Sequence, residues 1–271
     1  MEENSVLANS AYTFNDNDGS INETLKEIES YGLEGYSIDK DLSDDESLVF
    51  INPQGEEITL AIRGTDPNKF DREDMYANYL IVSGKEKASE RFTGEYDKMI
   101  QIMSKYPDKK YKVTGHSLGG HISYKLGKEF NIEGHHFNAG AFVSDAFENM
   151  ASLIDCGKSC EALEKQNFYT TAIDPLSVMN LHPLLDKFGK QNIHYQYRPE
   201  VGKLGHSINH FLPEKKGQKM SGVIYNSPYE LYKDLQEKGF IQMELKPRVR
   251  DYCAVNPLDP KCPKLDRLGN R

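Results

Sequence analysis

The 271-residue chain has no tryptophan, few cysteines and no long apolar run. A membrane-spanning helix needs about 20 consecutive apolar residues, so none is expected. The first residues, Met1 to Asn4, lack the positive region and apolar run that open a signal peptide. These two absences predict a soluble protein of the cytoplasm.

Basic residues are also scarce. The chain has 33 Lys and Arg against 42 Asp and Glu, a net charge of −9. Proteins that bind nucleic acid normally present a basic face, so a nucleic-acid partner is not expected. The acidic balance bears on solubility rather than on mechanism, and nothing in the sequence indicates an oligomeric state.

The four cysteines fall into two local pairs, Cys156/Cys160 and Cys253/Cys262. Neither spacing is that of a zinc knuckle, and no pair of histidines completes one, so no metal site is expected. Two local disulfides and four reduced thiols are both compatible with the spacing. The cysteines therefore favour neither an oxidising nor a reducing compartment.

The composition changes at Lys246. From there to the end the chain has four prolines, and seven Lys and Arg against three Asp. The length suffices for one large α/β domain. We therefore predict a domain over 1–245, followed by a basic, proline-rich arm or tail over 246–271.

A strand, a sharp turn and a helix are predicted around the sequence Gly115-His-Ser-Leu-Gly119. Residues 111–114 are rich in β-formers, and apolar residues recur at every fourth position over 118–126. G-x-S-x-G in this context is a nucleophile elbow. The two glycines remove side chains where strand and helix pass closely, while Ser117 takes a strained backbone conformation. The pattern predicts Ser117 as a catalytic nucleophile.

Further strands and an amphipathic helix surround this element. The helix is predicted over Lys85–Tyr106, directly before the elbow strand, which gives a β–α–β unit. A Pro/Gly turn joins two of the preceding strands as a hairpin. The strands outside the elbow are predicted at 35–39, 47–52, 57–63, 134–137, 166–174 and 193–197. We expect an α/β fold with a mostly parallel central sheet and helices on both faces.

Asp174 is the predicted acid. A nucleophilic serine needs a base, a carboxylate that orients the base, and donors for the oxyanion. In an α/β-hydrolase the chain order is Ser, Asp or Glu, then His. Asp174 ends a strand at an Asp-Pro pair, which holds the carboxylate at the carboxyl end of the sheet. Asp145 and Asp155 lie in less strand-like sequence.

His206 is the favoured base, because it follows Gly205 in a loop from which an imidazole can reach the sheet edge. His210, four residues later, is the alternative, since it would share a helix face with His206 if the segment is helical. His116 and His121 are interpreted as packing or solvent-facing residues. The adjacent His135 and His136 face opposite sides of a strand and are interpreted as structural.

The predicted oxyanion donors are the backbone amides of Thr65 and Leu118, with the Thr65 hydroxyl. Thr65 follows a strand that ends in Arg-Gly-Thr, and in serine hydrolases the loop after such a strand supplies half of the oxyanion hole. An ordinary glycine turn is the alternative. Residues 66–84, which mix charged and apolar side chains, form either a core helix or a mobile lid. Aromatic residues suited to an acyl groove are Phe70, Tyr76, Tyr79 and Phe142.

Four segments resemble the class 3 lipases: Ala61–Asp66, Thr114–Gly120, Asp174-Pro and Gly205–Phe211. The chain is most similar to divergent lipase-like hydrolases whose catalytic histidine opens a His-Ser-x-x-x-Phe segment. The resemblance covers roughly Ser5 to Leu212. It implies an α/β-hydrolase fold, hydrolysis of carboxylic esters and no cofactor. It also supports the roles assigned to Ser117, Asp174, His206 and Thr65.

Two features depart from that family. The chain has no tryptophan and no long apolar lid, so activation at a lipid interface is not expected, and the segment from Lys246 matches nothing in the family. The predicted function is a serine hydrolase of lipid esters, acylglycerols or phospholipid acyl chains, in transient contact with a membrane surface. The alternatives are a small-ester or thioester hydrolase, and a catalytically silent scaffold docked through the basic tail.

Overall fold

The computed structural model describes residues 2–16, 19–65, 89–139, 157–171, 174, 192–196, 198, 206–218, 224–225, 230, 233–234 and 237. The helices among them are α1 (Glu2–Asp16), α2 (Ile21–Ser30), α3 (Glu90–Lys105), α4 (Leu118–Phe130) and α5 (Gly157–Glu164). The strands are β1 (Ser37–Ile38), β2 (Ser47–Ile51), β3 (Glu57–Ile62), β4 (Lys110–His116), β5 (Glu133–Phe137), β6 (Gln166–Thr170) and β7 (Asn192–Tyr195).

These strands form one seven-stranded sheet in sequence order. β1, β2 and β3 are antiparallel, and every pair from β3 to β7 is parallel. The predicted hairpin is confirmed: the Asn52 side chain accepts hydrogen bonds from the backbone N–H groups of Glu56 and Glu57 in the turn between β2 and β3. Because β3 to β7 run in the same direction, their carboxyl ends lie at the same edge of the sheet.

Both faces of the sheet are covered. Alternate residues of β2 and β3 point to opposite sides, so Val49 and Leu60 pack with α3 and α4, whereas Leu48 and Phe50 pack with α1 and α2. Burying a large aliphatic or aromatic side chain contributes about 1.5–3 kcal/mol. The predicted fold class, a mostly parallel sheet between helical layers, is confirmed.

Some element boundaries differ from those predicted. α3 begins at Glu90 rather than Lys85, with Ser89 extended at the N-cap (φ −85°, ψ 126°). Residues 85–88 lie outside the described residues. β1 keeps two of its five predicted residues, and β6 ends at Thr170. The prolonged strand predicted up to Asp174 is therefore wrong, although Asp174 still follows the carboxyl end of β6.

α1 is tied to the centre of the sheet. The Thr114 hydroxyl on β4 donates to the carbonyl of Asn4 (3.1 Å), and the Ser5 hydroxyl donates to the carbonyl of Phe211 (2.9 Å). All four residues are buried. The first helix of the chain thus holds both the elbow strand and the turn that follows His206.

The chain divides into two compact units, residues 1–228 and 229–271. In the second unit the described residues include an exposed ion pair, Lys233 to Glu237 (3.7 Å). Residues 246–271 lie outside the described residues, so the predicted division at Lys246 stays a prediction. Within the described part of the chain, no helix combines the length and apolar character needed to cross a membrane.

Two glycines let β4, α4 and the end of β3 approach one another. A Cβ on Gly115 would lie 2.3 Å from the carbonyl oxygen of Gly119, and a Cβ on Gly119 would lie 2.2 Å from the carbonyl oxygen of Ile62. Both contacts are with backbone, which cannot move aside as a flexible side chain can. The close strand–helix passage predicted at these two positions is confirmed.

Replacing Gly119 with alanine should therefore destabilise the fold. Overpacking typically costs about 1–3 kcal/mol, and we expect a loss of that size in the free energy of unfolding measured with urea. Gly94→Ala is the matched control: Gly94 is exposed on α3 with nothing within 4 Å of an added Cβ. It should stabilise the protein by up to about 1 kcal/mol. Equal stability of the two variants would contradict the packing account.

Candidate active site

Ser117 occupies a sharp turn between β4 and α4. Its backbone has φ 57° and ψ −122°, outside both helical and extended conformations. Its N–H donates to the carbonyl of Phe137 on β5 (3.0 Å), and its own carbonyl accepts from the N–H of His121 in α4 (3.1 Å). Such a turn, at the carboxyl end of a central parallel strand, is a nucleophile elbow. The chain has the α/β-hydrolase fold.

The elbow brings three of the predicted residues together. The His206 Nε2 atom lies 2.8 Å from the Ser117 Oγ atom, and the His206 Nδ1 atom lies 2.9 Å from an Asp174 carboxylate oxygen. Asp174 is fully buried, whereas the His206 side chain is one third exposed. An ionised carboxylate only accepts, so Nδ1 carries the proton and Nε2 accepts from the serine hydroxyl. In this state the imidazole can take the serine proton.

The alternative base, His210, has a different partner. It ends a 3₁₀ turn, Ile208–His210, and is fully buried. Its Nδ1 atom accepts the backbone N–H of Arg198 (3.2 Å). Although a short helical turn does follow His206, the imidazole at the Ser117 hydroxyl is that of His206.

The end of β3 lies against the elbow. A Cβ on Gly64 would lie 3.1 Å from the Cβ of Ser117, and Thr65, which is half-buried, follows directly. On the other side, Leu118 is the first residue of α4, and backbone N–H groups in the first turn of a helix have no partner within it. The structure thus brings Gly64, the neighbour of Thr65, and Leu118 next to Ser117. The part of Thr65 and Leu118 in an oxyanion hole stays a prediction.

A buried arginine holds the end of β3. Arg91, in the first turn of α3, donates to the carbonyls of Arg63 (2.8 Å) and Glu46 (3.0 Å) and forms an ion pair with the Glu46 carboxylate (2.5 Å). Arg63 in turn donates its N–H to the Glu46 carbonyl (2.9 Å) and its Nε–H to the Asp45 carbonyl (2.9 Å). The residue before Gly64 is therefore fixed to α3 and to the loop before β2.

A charged cluster continues from this arginine. Glu95 is almost completely buried, accepts the Ser47 hydroxyl (2.7 Å) and lies 3.7 Å from Lys98, which also pairs with Asp44 (2.7 Å). Burial raises the pKa of the Glu95 carboxyl, against the opposing pull of Lys98 and Arg91. The cluster joins α3 to the start of β2. Through Arg91, the cluster supports the residues that follow β3. The members named here do not reach Ser117.

Sequence reasoning missed one tyrosine beside the site. The Tyr12 hydroxyl, on α1, accepts the backbone N–H of Gly64 (3.0 Å) and lies 2.9 Å from His116 Nδ1. The other ring nitrogen of His116, Nε2, lies 2.6 Å from the carbonyl oxygen of His206. His116 is buried, so the solvent-facing alternative given for it above is wrong. Tyr12 gave no signal, because it is one more aromatic residue on a helix that is buried over most of its length.

The remaining histidines near the sheet have structural partners. His135 Nδ1 lies 3.0 Å from the Tyr169 hydroxyl, whereas His136 lies 2.8 Å from the Ser123 hydroxyl and 3.0 Å from the Gln166 side chain. They face opposite sides, as predicted. His121 is buried beside the ring of Tyr124. Over the described ranges, no three His, Cys, Asp or Glu residues are grouped as metal ligands would be.

A polar pocket of about 430 Å³ lies at the amino ends of the parallel strands. Its charged lining includes Lys110, Lys112 and Glu57, and Lys112 pairs with Glu57 (2.9 Å). Ser117 follows the carboxyl end of β4, so the pocket and the elbow are at opposite edges of the sheet. The pocket is not part of the candidate site.

Several predicted features lie outside the described residues. They are the lid or helix over 66–84, the groove aromatics Phe70, Tyr76, Tyr79 and Phe142, the rejected acids Asp145 and Asp155, and Cys156, Cys253 and Cys262. Of the fourth cysteine, Cys160, the structure describes only the backbone, in α5.

No family model and no curated protein matches the chain. Among solved structures, lipase II from Rhizopus niveus is 13% identical over 70% of this chain and 77% of its own, with a TM-score of 0.43. A triacylglycerol lipase from Penicillium expansum is 16% identical (71% and 77%, TM-score 0.38). The Lip2 lipase from Yarrowia lipolytica is 15% identical (60% and 66%, TM-score 0.36).

The chain therefore spans just under two thirds of the Yarrowia lipase. All three of these solved structures are lipases, the class of protein that the sequence motifs of this chain resemble. The identities are too low for a substrate to be carried over from these proteins. The assignment of the hydrolase fold rests on the sheet order and the elbow of this chain.

Burial makes His116 a source of pH-dependent stability. It lowers the pKa of the His116 imidazole from 6.5 to about 3, with the neighbouring His206 adding to the effect. Between these values the unfolded chain binds the proton and the folded chain does not. The free energy of unfolding should therefore fall as the pH falls.

A His116→Gln variant, which cannot titrate at this position, isolates that contribution. From about pH 7.5 to about pH 5, urea unfolding should show a decrease up to about 2 kcal/mol larger for the wild type than for the variant. Acidic residues titrate in both proteins and cancel in the comparison. Parallel pH dependences would show that His116 is protonated in the folded state.

Proposed function

We propose that the protein is a serine hydrolase that cleaves carboxylic esters of lipids through an acyl-enzyme on Ser117. The observation that carries the proposal is the continuous hydrogen-bond chain from the Ser117 hydroxyl through both nitrogens of His206 to the buried Asp174 carboxylate. Three polar side chains from distant parts of the sequence meet at a strained turn. This is the order of groups that activates a serine nucleophile in a Ser-His-Asp triad.

In the first step, Ser117 Oγ attacks the ester carbonyl carbon while His206 Nε2 takes the hydroxyl proton. The resulting imidazolium is stabilised by the Asp174 carboxylate, which is 2.9 Å from Nδ1. The tetrahedral intermediate then collapses, and His206 returns the proton to the departing alcohol. Water, activated by the same imidazole, attacks the acyl-enzyme and releases the acid.

The negative oxygen of the intermediate needs donors on the side away from His206. The Leu118 amide opens α4, and the positive end of the helix dipole favours an anion there. The Thr65 amide and hydroxyl follow Gly64, which lies against Ser117. Removing one such donor typically costs about 10²–10³ in kcat, so both sides of the elbow contribute to the rate.

A lipid ester is proposed as substrate on the strength of the class 3 lipase motifs. The rival hydrolase would act on small esters or thioesters in a shallow site. A silent scaffold is a weaker alternative, since binding alone does not require a serine, an imidazole and a buried carboxylate in hydrogen-bonding order. Acyl-chain preference separates the first two, and hydrolysis itself excludes the third.

We expect p-nitrophenyl esters to be hydrolysed, with kcat/KM higher for a long acyl chain than for a short one. The physical reason is that a longer chain buries more apolar surface, at about 0.8 kcal/mol per methylene. The assay contains no detergent and uses substrate concentrations at which the ester stays monomeric, so that micelles do not affect the measured rate. A preference for the shortest chain would favour the small-ester hydrolase, and no hydrolysis of either ester would contradict the enzymatic proposal.

Substitutions in the hydrogen-bond chain should abolish this activity while the fold persists. Ser117→Ala, His206→Ala and Asp174→Asn should each lower kcat by about 10⁴-fold. His210→Gln is the matched control, because His210 bonds to Arg198 and not to Ser117. It should lower stability and leave kcat within about tenfold. An inactive His210→Gln variant together with an active His206→Ala variant would overturn the assignment of His206 as the base.

A further inference from the structure

Three hydrogen bonds connect the two loops that any reaction at Ser117 must keep in place. They run from the Gly64 N–H to the Tyr12 hydroxyl (3.0 Å), on to His116 Nδ1 (2.9 Å), and from His116 Nε2 to the His206 carbonyl oxygen (2.6 Å). One end lies at the exit of β3, beside Thr65. The other end is the backbone of the base itself.

The direction of each bond follows from the chemistry of the groups. The His206 carbonyl can only accept, so His116 Nε2 must carry a proton. A neutral imidazole has one N–H, which leaves Nδ1 as an acceptor, and the Tyr12 hydroxyl must donate its single hydrogen there. The oxygen of Tyr12 can then accept the Gly64 N–H. Every donor in the series has one acceptor.

The series needs an uncharged His116. Its ring centroid lies 5.0 Å from that of His206, which becomes an imidazolium during the proposed reaction. A second positive charge at this distance would oppose that change. Burial of His116 disfavours its charged form, and the donated Nε2–H keeps one tautomer.

We propose that Tyr12 and His116 are positioning residues, which hold the strand exit at Gly64 and the backbone of His206 in register with Ser117. The inference rests on the proposed function and assigns it two further residues. Tyr12 acts from α1, a helix that supplies no group to the Ser117–His206–Asp174 chain. We call this series of hydrogen bonds, from Gly64 through Tyr12 and His116 to His206, the bridge. A shift at its oxyanion end, beside Thr65, is passed to its base end, at the backbone of His206.

Shape also supports the bridge. A Cβ on Gly64 would lie 2.3 Å from the Tyr12 hydroxyl oxygen and 2.5 Å from the His116 carbonyl oxygen. Only a residue without a side chain allows the Tyr12 hydroxyl to reach the backbone at this point. The edge-on contact between the Tyr12 and His116 rings (centroids 5.8 Å apart) fixes the direction of approach.

Tyr12→Phe removes one oxygen and leaves the ring. It deprives Gly64 of its acceptor and His116 Nδ1 of its donor, so two of the three hydrogen bonds are lost and Gly64 is no longer connected to His206. We expect kcat, and the rate constant for labelling of Ser117 by a fluorophosphonate, to fall by about 10-fold to 100-fold, as small misplacements at an active site do. KM should change less than about twofold, since ground-state binding is not altered.

Tyr169→Phe is the matched control. The Tyr169 hydroxyl also lies 3.0 Å from the Nδ1 atom of a buried histidine, His135, but neither residue reaches Gly64 or His206 in the described structure. Each hydroxyl deletion should lower the urea midpoint of unfolding to a similar extent, because each removes one buried hydrogen-bond donor to a histidine. Only Tyr12→Phe should lower kcat and the labelling rate. An equal loss in both variants, or no loss in Tyr12→Phe, would overturn the proposal.

The tautomer of His116 provides a readout that does not depend on hydrolysis. Nitrogen-15 NMR of the wild type should show His116 neutral and protonated at Nε2 down to about pH 5. Protonation at Nδ1 instead would overturn the bridge even in an active enzyme. If the wild type neither labels nor hydrolyses an ester, the proposed function fails. The Nε2–H tautomer would still support the bridge, whose catalytic role would then fall with the function.

Discussion

The conformation of Ser117 is the constraint on which the site depends. A non-glycine residue at φ 57° and ψ −122° persists only where its surroundings hold it. Here the serine N–H is bonded to β5, its carbonyl to α4, and the glycines at 115 and 119 remove the side chains that would force strand and helix apart. Because the turn is held on both sides, by β5 and by α4, the hydroxyl lies above the carboxyl edge of the sheet.

The rest of the molecule positions partners around that hydroxyl. β6 leads to Asp174, while the turn carrying His206 is bound to α1 through Ser5 and Phe211. Arg91 holds the exit of β3 from α3. The parallel order of β3 to β7 brings these segments to one edge, although the end of β3 and His206 are about 140 residues apart in the chain. The long-range order is thus produced by the sheet, and the fine placement by buried polar contacts.

Much of this architecture follows from local sequence pattern. Periodicity located α3, α4 and most strands, and the Gly-His-Ser-Leu-Gly turn identified the elbow. The choice of His206 over His210 could not be settled in this way, because it depends on the hydrogen bond between His210 and Arg198. Tyr12 and Arg91 were missed for a similar reason: their partners, Gly64 and Arg63, are distant in sequence, and no local pattern marks such contacts.

The most direct test of the account is a crystal structure of the protein after reaction with a fluorophosphonate, which mimics the tetrahedral intermediate. Phosphorus should be bonded to Ser117 Oγ, with His206 Nε2 still facing that oxygen. The phosphoryl oxygen should lie about 2.7–3.1 Å from the amides of Leu118 and Thr65. A phosphoryl oxygen directed to solvent, or phosphorus bonded to another residue, would contradict it.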